Sequence, residues 1–260
     1  MKTTTILVAD ATPVWTITLN RPERRNAMTP EMQTELIAAM EAAAAAGDCR
    51  VLVFAGAGTA FCSGLDLSAL QSMNEMTAAE HHADAARVSR LFRTLYELPV
   101  PTIAAVHGPA MAGGTGLATI CDFTLATPAA KFGYTEARIG FVPAMVSAYL
   151  ALQIGDKRSR DLLLSGRAFD AAEAYRLGLV HEVVAPEMLA ERVQALAEAL
   201  MANSPEALAA TKRLLAAQNK AWLDAAMEAA LEANARARET ADFREGVAAF
   251  LEKRKPVWKR

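Results

Sequence analysis

The feature that most constrains the fold is an alternation of strand-like and helix-like segments over the first half of the chain. Segments 14–20, 50–56 and 101–108 are rich in Val, Ile and Thr, which predicts strands. Apolar residues recur every three or four positions in 30–46, which predicts a helix, and a polar helix is predicted near 77–97. This order is typical of right-handed crossovers within a mostly parallel sheet. The sequence therefore predicts the α/β class.

Local signals mark where other elements begin. Residues 4–10 are expected to pair with the first strand as a hairpin, and Thr29 is expected to cap the first helix. From residue 143 onward helices are expected to dominate, apart from a strand at 178–184. Ser204 precedes a proline and predicts the start of another helix.

The C-terminal part is predicted to form a helical layer, 201–260, on an α/β core, 1–200. Its stretch 221–240 has apolar residues at helical spacing with charges between them. This pattern fits a helix of the core or a helix at a subunit interface about equally well. Both interpretations stay open at this point.

The composition excludes several classes of protein. The 260 residues are 53% hydrophobic and 22% charged, with a net charge of −2 at pH 7. These values are typical of a globular protein and provide no electrostatic field for nucleic acid. No apolar run approaches the roughly 18 to 20 residues of a membrane span, and the first residues do not fit a signal peptide. We expect a cytoplasmic protein that binds neither nucleic acid nor membrane.

The cysteines and histidines do not form a metal-binding pattern. Cys49, Cys62 and Cys121 are an odd number without C-x-x-C spacing, which favours packed free thiols. The neighbouring His81 and His82 would point to different faces of a helix. We therefore expect no metal site.

Two loops that contain glycine follow predicted strands and lead into predicted helices. They are MAGGTGLATICDF, 111–123, and FCSGLDL, 61–67. The first is a near miss for a dinucleotide-binding fingerprint, because the next strand begins too soon, and no lysine follows it as in a Walker loop. Backbone N–H groups from both loops would suit an oxyanion hole. The alternative is that the glycines only permit close packing.

Beyond these two loops, the sequence as a whole resembles the crotonase superfamily, the enoyl-CoA hydratases and isomerases. The matching blocks cover nearly the whole chain in order and spacing: ITLNRPERRNAM, FCSGLDL, AVHGPAMAGGTGLATICDF, KFGYTEARIGFVPA, LLLSGRAFDAAEAYRLGLVHEVV and FREGVAAFLEKRK. The resemblance implies a spiral of repeated β-β-α units with C-terminal helices that assemble homotrimers or dimers of trimers. It also implies an acyl-CoA thioester substrate of fatty acid metabolism, with no cofactor beyond the coenzyme A moiety of that substrate.

The resemblance assigns roles to individual positions. The backbone amides of Leu65 and Gly113 would bind the thioester oxygen, and Glu136 would be the catalytic acid or base. Polarising the thioester acidifies its α carbon, so that one positioned carboxyl can move protons. Asp66 is expected to cap the helix that follows it. Contacts with substrate or coenzyme A are expected at Arg24, Arg25, Ser63, Gly64, Leu65, Asp66, Leu67, Gly114, Gly116, Phe141, Phe250 and Lys253, the last two from a neighbouring subunit.

One position departs from the pattern of the best-known hydratases. They have a second glutamate, which activates water, where this chain has Gly116. Gly116 is also expected to leave space for a branch of the substrate. We expect a hydratase for short or branched enoyl-CoA thioesters, with Glu136 alone or with a substitute from Glu75, Glu80, His81, His82 or Asp84. The alternatives are a double-bond isomerase with Glu136 as its sole proton shuttle, and a catalytically weak acyl-CoA-binding scaffold.

Overall fold

The strands of the molecule form two sheets in the computed structural model, which describes residues 3–258, with the backbone alone at Asn74. In chain order they are β1 Ile6–Ala9, β2 Val14–Leu19, β3 Val51–Gly56, β4 Thr102–Val106, β5 Ala110–Met111, β6 Phe123–Ala126, β7 Lys131–Gly133, β8 Ala168–Asp170 and β9 Glu182–Val183. The larger sheet has the order β1-β2-β3-β4-β6-β9, and its pairs are parallel except β1 with β2. The smaller sheet has the order β5-β7-β8.

Helices cover both faces of the larger sheet. They are α1 Pro30–Ala45, α2 Leu67–Ser72, α3 Ala78–Glu97, α4 Gly113–Ile120, α5 Ala144–Ser165, α6 Ala171–Leu177, α7 Leu189–Met201, α8 Pro205–Arg238 and α9 Ala241–Leu251. Because side chains alternate along a strand, Leu52 and Phe54 of β3 enter the main core, whereas Val51 and Val53 pack with α7. A sheet buried on both faces confirms the α/β class.

Most predicted elements are present at the expected places. Thr29 Oγ1 accepts a hydrogen bond from Met32 N, so it caps α1, and Ser204 caps α8. The strand predicted at 178–184 is wrong in extent, because only β9 is a strand. The amides of Leu179 and Val180 instead bond back to Ala174 O, at 2.9 and 3.2 Å, and close the end of α6.

The long helix α8 packs into the α/β core. Leu223, Met227 and Ala230 belong to the main hydrophobic cluster, which confirms the core-helix interpretation for this face. Trp222, on another face, is 47% exposed. The division at residue 200 stays a prediction.

The described part of the chain adds three observations on cysteines, metals and membranes. All three cysteines are free and buried, as expected. Residues 3–258 contain no group of three or more His, Cys, Asp or Glu side chains placed to hold a metal ion. Among the described helices, none combines the length and apolarity needed to cross a bilayer.

A half-buried lysine anchors α8 to the sheet. Lys212 Nζ donates to Val100 O at 3.1 Å and contacts Asp122 Oδ2, which also accepts from Thr102 N at 2.8 Å. We expect Lys212→Met to lower the free energy of unfolding by about 1–3 kcal/mol, because it removes a cation from a largely buried pair. Urea unfolding measures this change.

The matched control lies on the same helix. Lys220 pairs with Asp224 on an exposed face, with 64% and 43% of the two side chains exposed. Lys220→Met should change the free energy of unfolding by about 0.5 kcal/mol or less. Equal effects of the two substitutions would contradict the anchoring role of Lys212.

Candidate active site

Backbone hydrogen bonds hold the two glycine loops side by side. Cys62 N donates to Pro109 O at 3.2 Å, and Met111 N donates to Cys62 O at 2.8 Å. On its other side, the 61–67 loop is bound through Gly64 O, which accepts from Met28 N at 2.7 Å. The loop after β3 is therefore fixed against the start of α4.

The N-terminus of α4 has an unusual backbone conformation at Ala112. Its φ of 50° and ψ of −123° are rarely adopted by a residue with a side chain. Ala112 N donates to Gly133 O and Thr115 Oγ1 donates to Ala110 O, both at 2.7 Å, and these bonds hold the turn. The amides of the first helical turn have no intrahelical acceptor, so they are available to a ligand.

Leu65 and Gly113 line one cavity. Within residues 3–258 neither amide N–H has a hydrogen-bond acceptor. The two loops are close, since a Cβ on Gly64 would lie 3.2 Å from Ala112 Cβ. Two unpaired donors from separate loops beside one cavity are what an oxyanion hole requires.

The cavity is small and largely apolar. Its volume is about 130 Å³, which is close to the roughly 150 Å³ of an engineered cavity that binds benzene. This size fits an acyl group of a few carbons. Apolar side chains of its wall include Leu70, Val88, Phe92, Phe141, Met145 and Val146.

Glu136 begins a 3₁₀ turn, Glu136–Ile139, after β7, and its side chain lines the cavity. Its Oε2 is buried and has no hydrogen-bond partner in the described range. Burial raises the pKa of Glu136 to about 7, against the opposing effect of its own backbone amide. Near pH 7 both the neutral and the ionised carboxyl are therefore populated, which suits an acid–base catalyst.

The space beside Gly116 is filled. A Cβ there would lie 2.5 Å from Val146 Cγ1 and 3.2 Å from Phe92 Cζ. The expectation that Gly116 leaves space for a substrate branch is therefore wrong. Gly114 packs against Cys62, and neither glycine is among the described residues that line the cavity. Both glycines permit close packing, and their expected contact with substrate stays a prediction.

Asp84 is the one candidate substitute for the second glutamate that reaches the cavity within the described range. Its Oδ2 accepts from Arg238 Nη2 at 2.7 Å, and its Oδ1 contacts Arg87 Nη2. The other candidates lie away from the cavity: Glu75, Glu80, His81 and His82. Among the described residues, the cavity thus offers one carboxyl free of ion pairs, that of Glu136.

Asp66 caps α2, as expected. Its Oδ1 accepts from Ser68 N at 2.9 Å and from Ser68 Oγ at 2.6 Å, while Oδ2 pairs with Arg21 at 2.8 Å. Burial alone would raise the pKa of Asp66, but these bonds outweigh it and leave that pKa below its ordinary value. An ionised carboxylate with these partners is structural and unsuited to proton transfer.

The arginines expected to meet coenzyme A lie beside the 61–67 loop. Arg24 O accepts from Ser63 Oγ at 3.4 Å, and Arg25 O accepts from Ser63 N at 3.0 Å. Both arginines are exposed and form no ion pair with any described residue. Phe250 lines the cavity of its own chain, whereas Leu67 and Lys253 are exposed and do not line it.

Besides Gln33 and Thr135, sequence reasoning missed two polar residues of the cavity that lie on one helix, Asn234 and Arg238. Both are buried in the last turns of α8. The sequence does contain a signal for this pair. One face of α8 has residues at intervals of three or four, namely Met227, Ala230, Asn234 and Arg238. Polar residues that continue an apolar stripe are candidates for a buried site.

Comparison with known proteins gives a consistent result. A family profile described as enoyl-CoA hydratase/isomerase matches residues 10–260. A Thermus thermophilus protein with a provisional enoyl-CoA hydratase name is 44% identical over 238 residues, which are 92% of this chain and 94% of that protein. A probable enoyl-CoA hydratase of Rhizobium meliloti is 36% identical over 268 residues, covering 98% of both chains.

Solved structures show the same fold. The crystal structure of an enoyl-CoA hydratase from Mycobacterium avium subsp. paratuberculosis has a TM-score of 0.88 at 28% identity and covers 100% of both chains. An enoyl-CoA hydratase/isomerase from Xanthobacter autotrophicus also has a TM-score of 0.88, at 32% identity over 97% of both chains. These matches confirm the crotonase-like fold with its C-terminal helical region.

The contact between the two glycine loops can be tested by adding one methyl group. A Cβ on Gly114 would clash with Cys62 O and lie 2.8 Å from Cys62 Cβ, so we expect Gly114→Ala to destabilise the protein by about 1–3 kcal/mol in thermal or urea unfolding. A Cβ on Gly113 would have no neighbour nearer than 3.9 Å. Gly113→Ala should therefore be neutral or slightly stabilising, and similar losses in both variants would contradict the close contact.

Proposed function

The chain belongs to the enoyl-CoA hydratase/isomerase family, and on that premise we propose that it adds water to, or removes it from, the double bond of a short or branched enoyl-CoA thioester. The observation that carries the proposal is the buried carboxyl of Glu136, whose Oε2 has no partner, in the cavity that Leu65 and Gly113 also line. The retained acid argues against a pure binding scaffold, because burial of an unpaired carboxyl is unfavourable without a use for it.

The proposed reaction uses the two amides and the carboxyl together. The N–H groups of Leu65 and Gly113 would bind the thioester oxygen and stabilise the negative charge that develops on it. In hydration, the neutral carboxyl of Glu136 gives its proton to the α carbon and takes a proton from the water whose oxygen bonds to the β carbon. Water is thereby added across the double bond, and the carboxyl is regenerated in its neutral form.

One observation favours isomerisation as a second candidate. Val146 and Phe92 fill the space beside Gly116, and Asp84 is paired with two arginines, so the described cavity offers no second free acid. A single carboxylate is sufficient to remove a proton from the α carbon of a 3-enoyl thioester and return it to the γ carbon. The two reactions require Glu136 in opposite protonation states at the start.

The remainder of the substrate is proposed to lie along the 61–67 loop. Ser63 and Gly64 line the cavity next to Leu65. Ser63 donates hydrogen bonds to the backbone carbonyls of Arg24 and Arg25, and the exposed side chains of these arginines would pair with phosphates of coenzyme A. This placement supports an extended thioester that enters the cavity with its acyl group first.

The proposed assembly is a cytoplasmic homotrimer or dimer of trimers. Large apolar side chains are exposed on α5 and α8, among them Leu164, Leu214, Leu215 and Trp222. Contacts between subunits would remove such side chains from water, which supports association through the helical layer.

Substitution of Glu136 tests the proposed chemistry. We expect Glu136→Gln to lower turnover by about 10²- to 10⁴-fold, because the amide cannot exchange a proton, with little change in thioester binding. Turnover is measured with crotonyl-CoA for hydration and with a 3-enoyl-CoA for isomerisation, and binding by calorimetry. Glu75→Gln, at an exposed carboxyl outside the cavity, is the control and should retain full activity. Unchanged turnover of Glu136→Gln would remove Glu136 from its role.

The pH dependence of kcat/KM distinguishes the two reactions. The pKa of Glu136 is about 7 because the carboxyl is buried. Hydration begins from the neutral acid, so its kcat/KM should fall as pH rises through 7, whereas isomerisation begins from the carboxylate and should rise through 7. In Glu136→Gln, kcat/KM should no longer fall for hydration or rise for isomerisation as pH passes through 7. A hydration rate that rises through pH 7 would contradict the neutral-acid role.

A further inference from the structure

A buried arginine, Arg238, lines the cavity, and two nitrogens of its guanidinium group have no hydrogen-bond acceptor among the described residues. The side chain of Arg238 is 2% exposed, and its Nη2 donates to Asp84 Oδ2 at 2.7 Å. Its Nε and Nη1 are buried and have no acceptor within the described residues. Its guanidinium carbon lies 5.7 Å from the centre of the Phe141 ring, in a largely apolar wall. Unpaired donors of a buried cation are costly, so an acceptor is expected to meet them when the site is occupied.

The charges around Arg238 do not balance. Asp84 is shared with Arg87, which also donates to Gln33 Oε1 at 2.9 Å. Two arginines therefore face one carboxylate, which leaves one positive charge in excess at this side of the cavity. Glu136 forms no ion pair with either arginine among the described residues, so it does not offset this charge by direct contact.

A second polar side chain lies one turn earlier on the same helix face. Asn234 lines the cavity and is 6% exposed, and its Oδ1 is buried without a partner in the described range. The amide group of Asn234 can present either a donor or an acceptor, according to its orientation. Asn234 and Arg238 together form a polar end in a cavity whose other walls are mainly apolar.

We propose that the cavity is built for enoyl-CoA thioesters whose acyl chain ends in a carboxylate, bound by Arg238 and Asn234. This inference rests on the proposed function and names its substrate class. A carboxylate supplies acceptors for Nε and Nη1 and neutralises the excess charge, whereas an alkyl end leaves both donors unpaired. A site that hydrogen-bonds a polar group discriminates strongly against the analogue that lacks it.

The test compares two thioesters of equal chain length. Glutaconyl-CoA ends in a carboxylate where 2-pentenoyl-CoA ends in a methyl group. With the unmodified protein we expect kcat/KM for hydration to be about 10- to 100-fold higher for glutaconyl-CoA, which corresponds to one or two charge-assisted hydrogen bonds. Equal values, or a preference for 2-pentenoyl-CoA, would overturn the proposed specificity and leave the hydratase function intact.

Variants assign the preference to Arg238. Arg238→Met leaves Asp84 paired with Arg87 and should remove most of the preference by raising KM for glutaconyl-CoA, while kcat/KM for 2-pentenoyl-CoA stays within a few fold. Arg236→Gln is the matched control: Arg236 is 76% exposed, pairs with Glu232 and does not line the cavity. It should keep the full preference. Equal loss for both thioesters in Arg238→Met would show a merely structural role and overturn the proposal.

A binding measurement separates failure of this inference from failure of the proposed function. Glutaryl-CoA and valeryl-CoA are the saturated counterparts of the two thioesters and cannot react. Calorimetry should show tighter binding of glutaryl-CoA to the unmodified protein, and this difference should disappear in Arg238→Met. Tighter binding of glutaryl-CoA without hydration of either enoyl thioester would support the specificity and contradict the hydratase function. Equal binding of the two would overturn the specificity whatever the activity.

Discussion

The site depends on the hydrogen bonds that join the ends of two neighbouring parallel strands. β3 and β4 pair in register, and the chain that follows each of them is joined to the other by Met111 N to Cys62 O and by Cys62 N to Pro109 O. Because carboxyl ends of parallel strands lie at one edge of a sheet, free amides from both loops reach the same cavity. The glycines of these loops let the backbones approach to a distance that a Cβ would prevent, as Gly114 shows against Cys62.

Two buried carboxyls near this cavity behave differently because their surroundings differ. Asp84 has two arginine partners, so its charge is compensated where it lies. Glu136 has a buried oxygen without a partner, and burial holds its pKa near 7. One carboxyl beside the cavity is therefore held in ion pairs, whereas the other is placed to exchange a proton.

Much of the fold was predictable because its signals are local. Periodicity located β1 to β4 of the larger sheet, and the side chains of Thr29 and Ser204 marked helix starts that the structure confirms. The smaller sheet was missed, because β5 and β7 have only two and three residues and are held by distant partners. The sequence also did not show that the space beside Gly116 is filled, because the side chains that fill it, Val146 and Phe92, come from other helices.

The location of the site was predictable from its motifs, but its polar end was not. Leu65 and Gly113 belong to the two glycine-containing segments that the sequence indicated, Glu136 was assigned from the resemblance, and all three line the cavity. Whether they act as expected stays a proposal. Arg238 is more than 100 positions further along, and only the packing of α8 reveals that it meets Asp84. Spacing rules relate residues a few positions apart, so they do not predict a contact between residues 154 positions apart.

The helix α8 extends without a break from an exposed apolar region to the cavity. Its 34 residues form one helix, about 50 Å long at 1.5 Å per residue. Its first half carries the exposed Leu214 and Leu215, and its last turns carry Asn234 and Arg238 into the cavity. The exposed apolar side chains of its first half and the buried guanidinium of its last turn thus belong to one continuous helix. In the proposed assembly, contacts between subunits at the first half of α8 would act on the polar end of the cavity through this one helix.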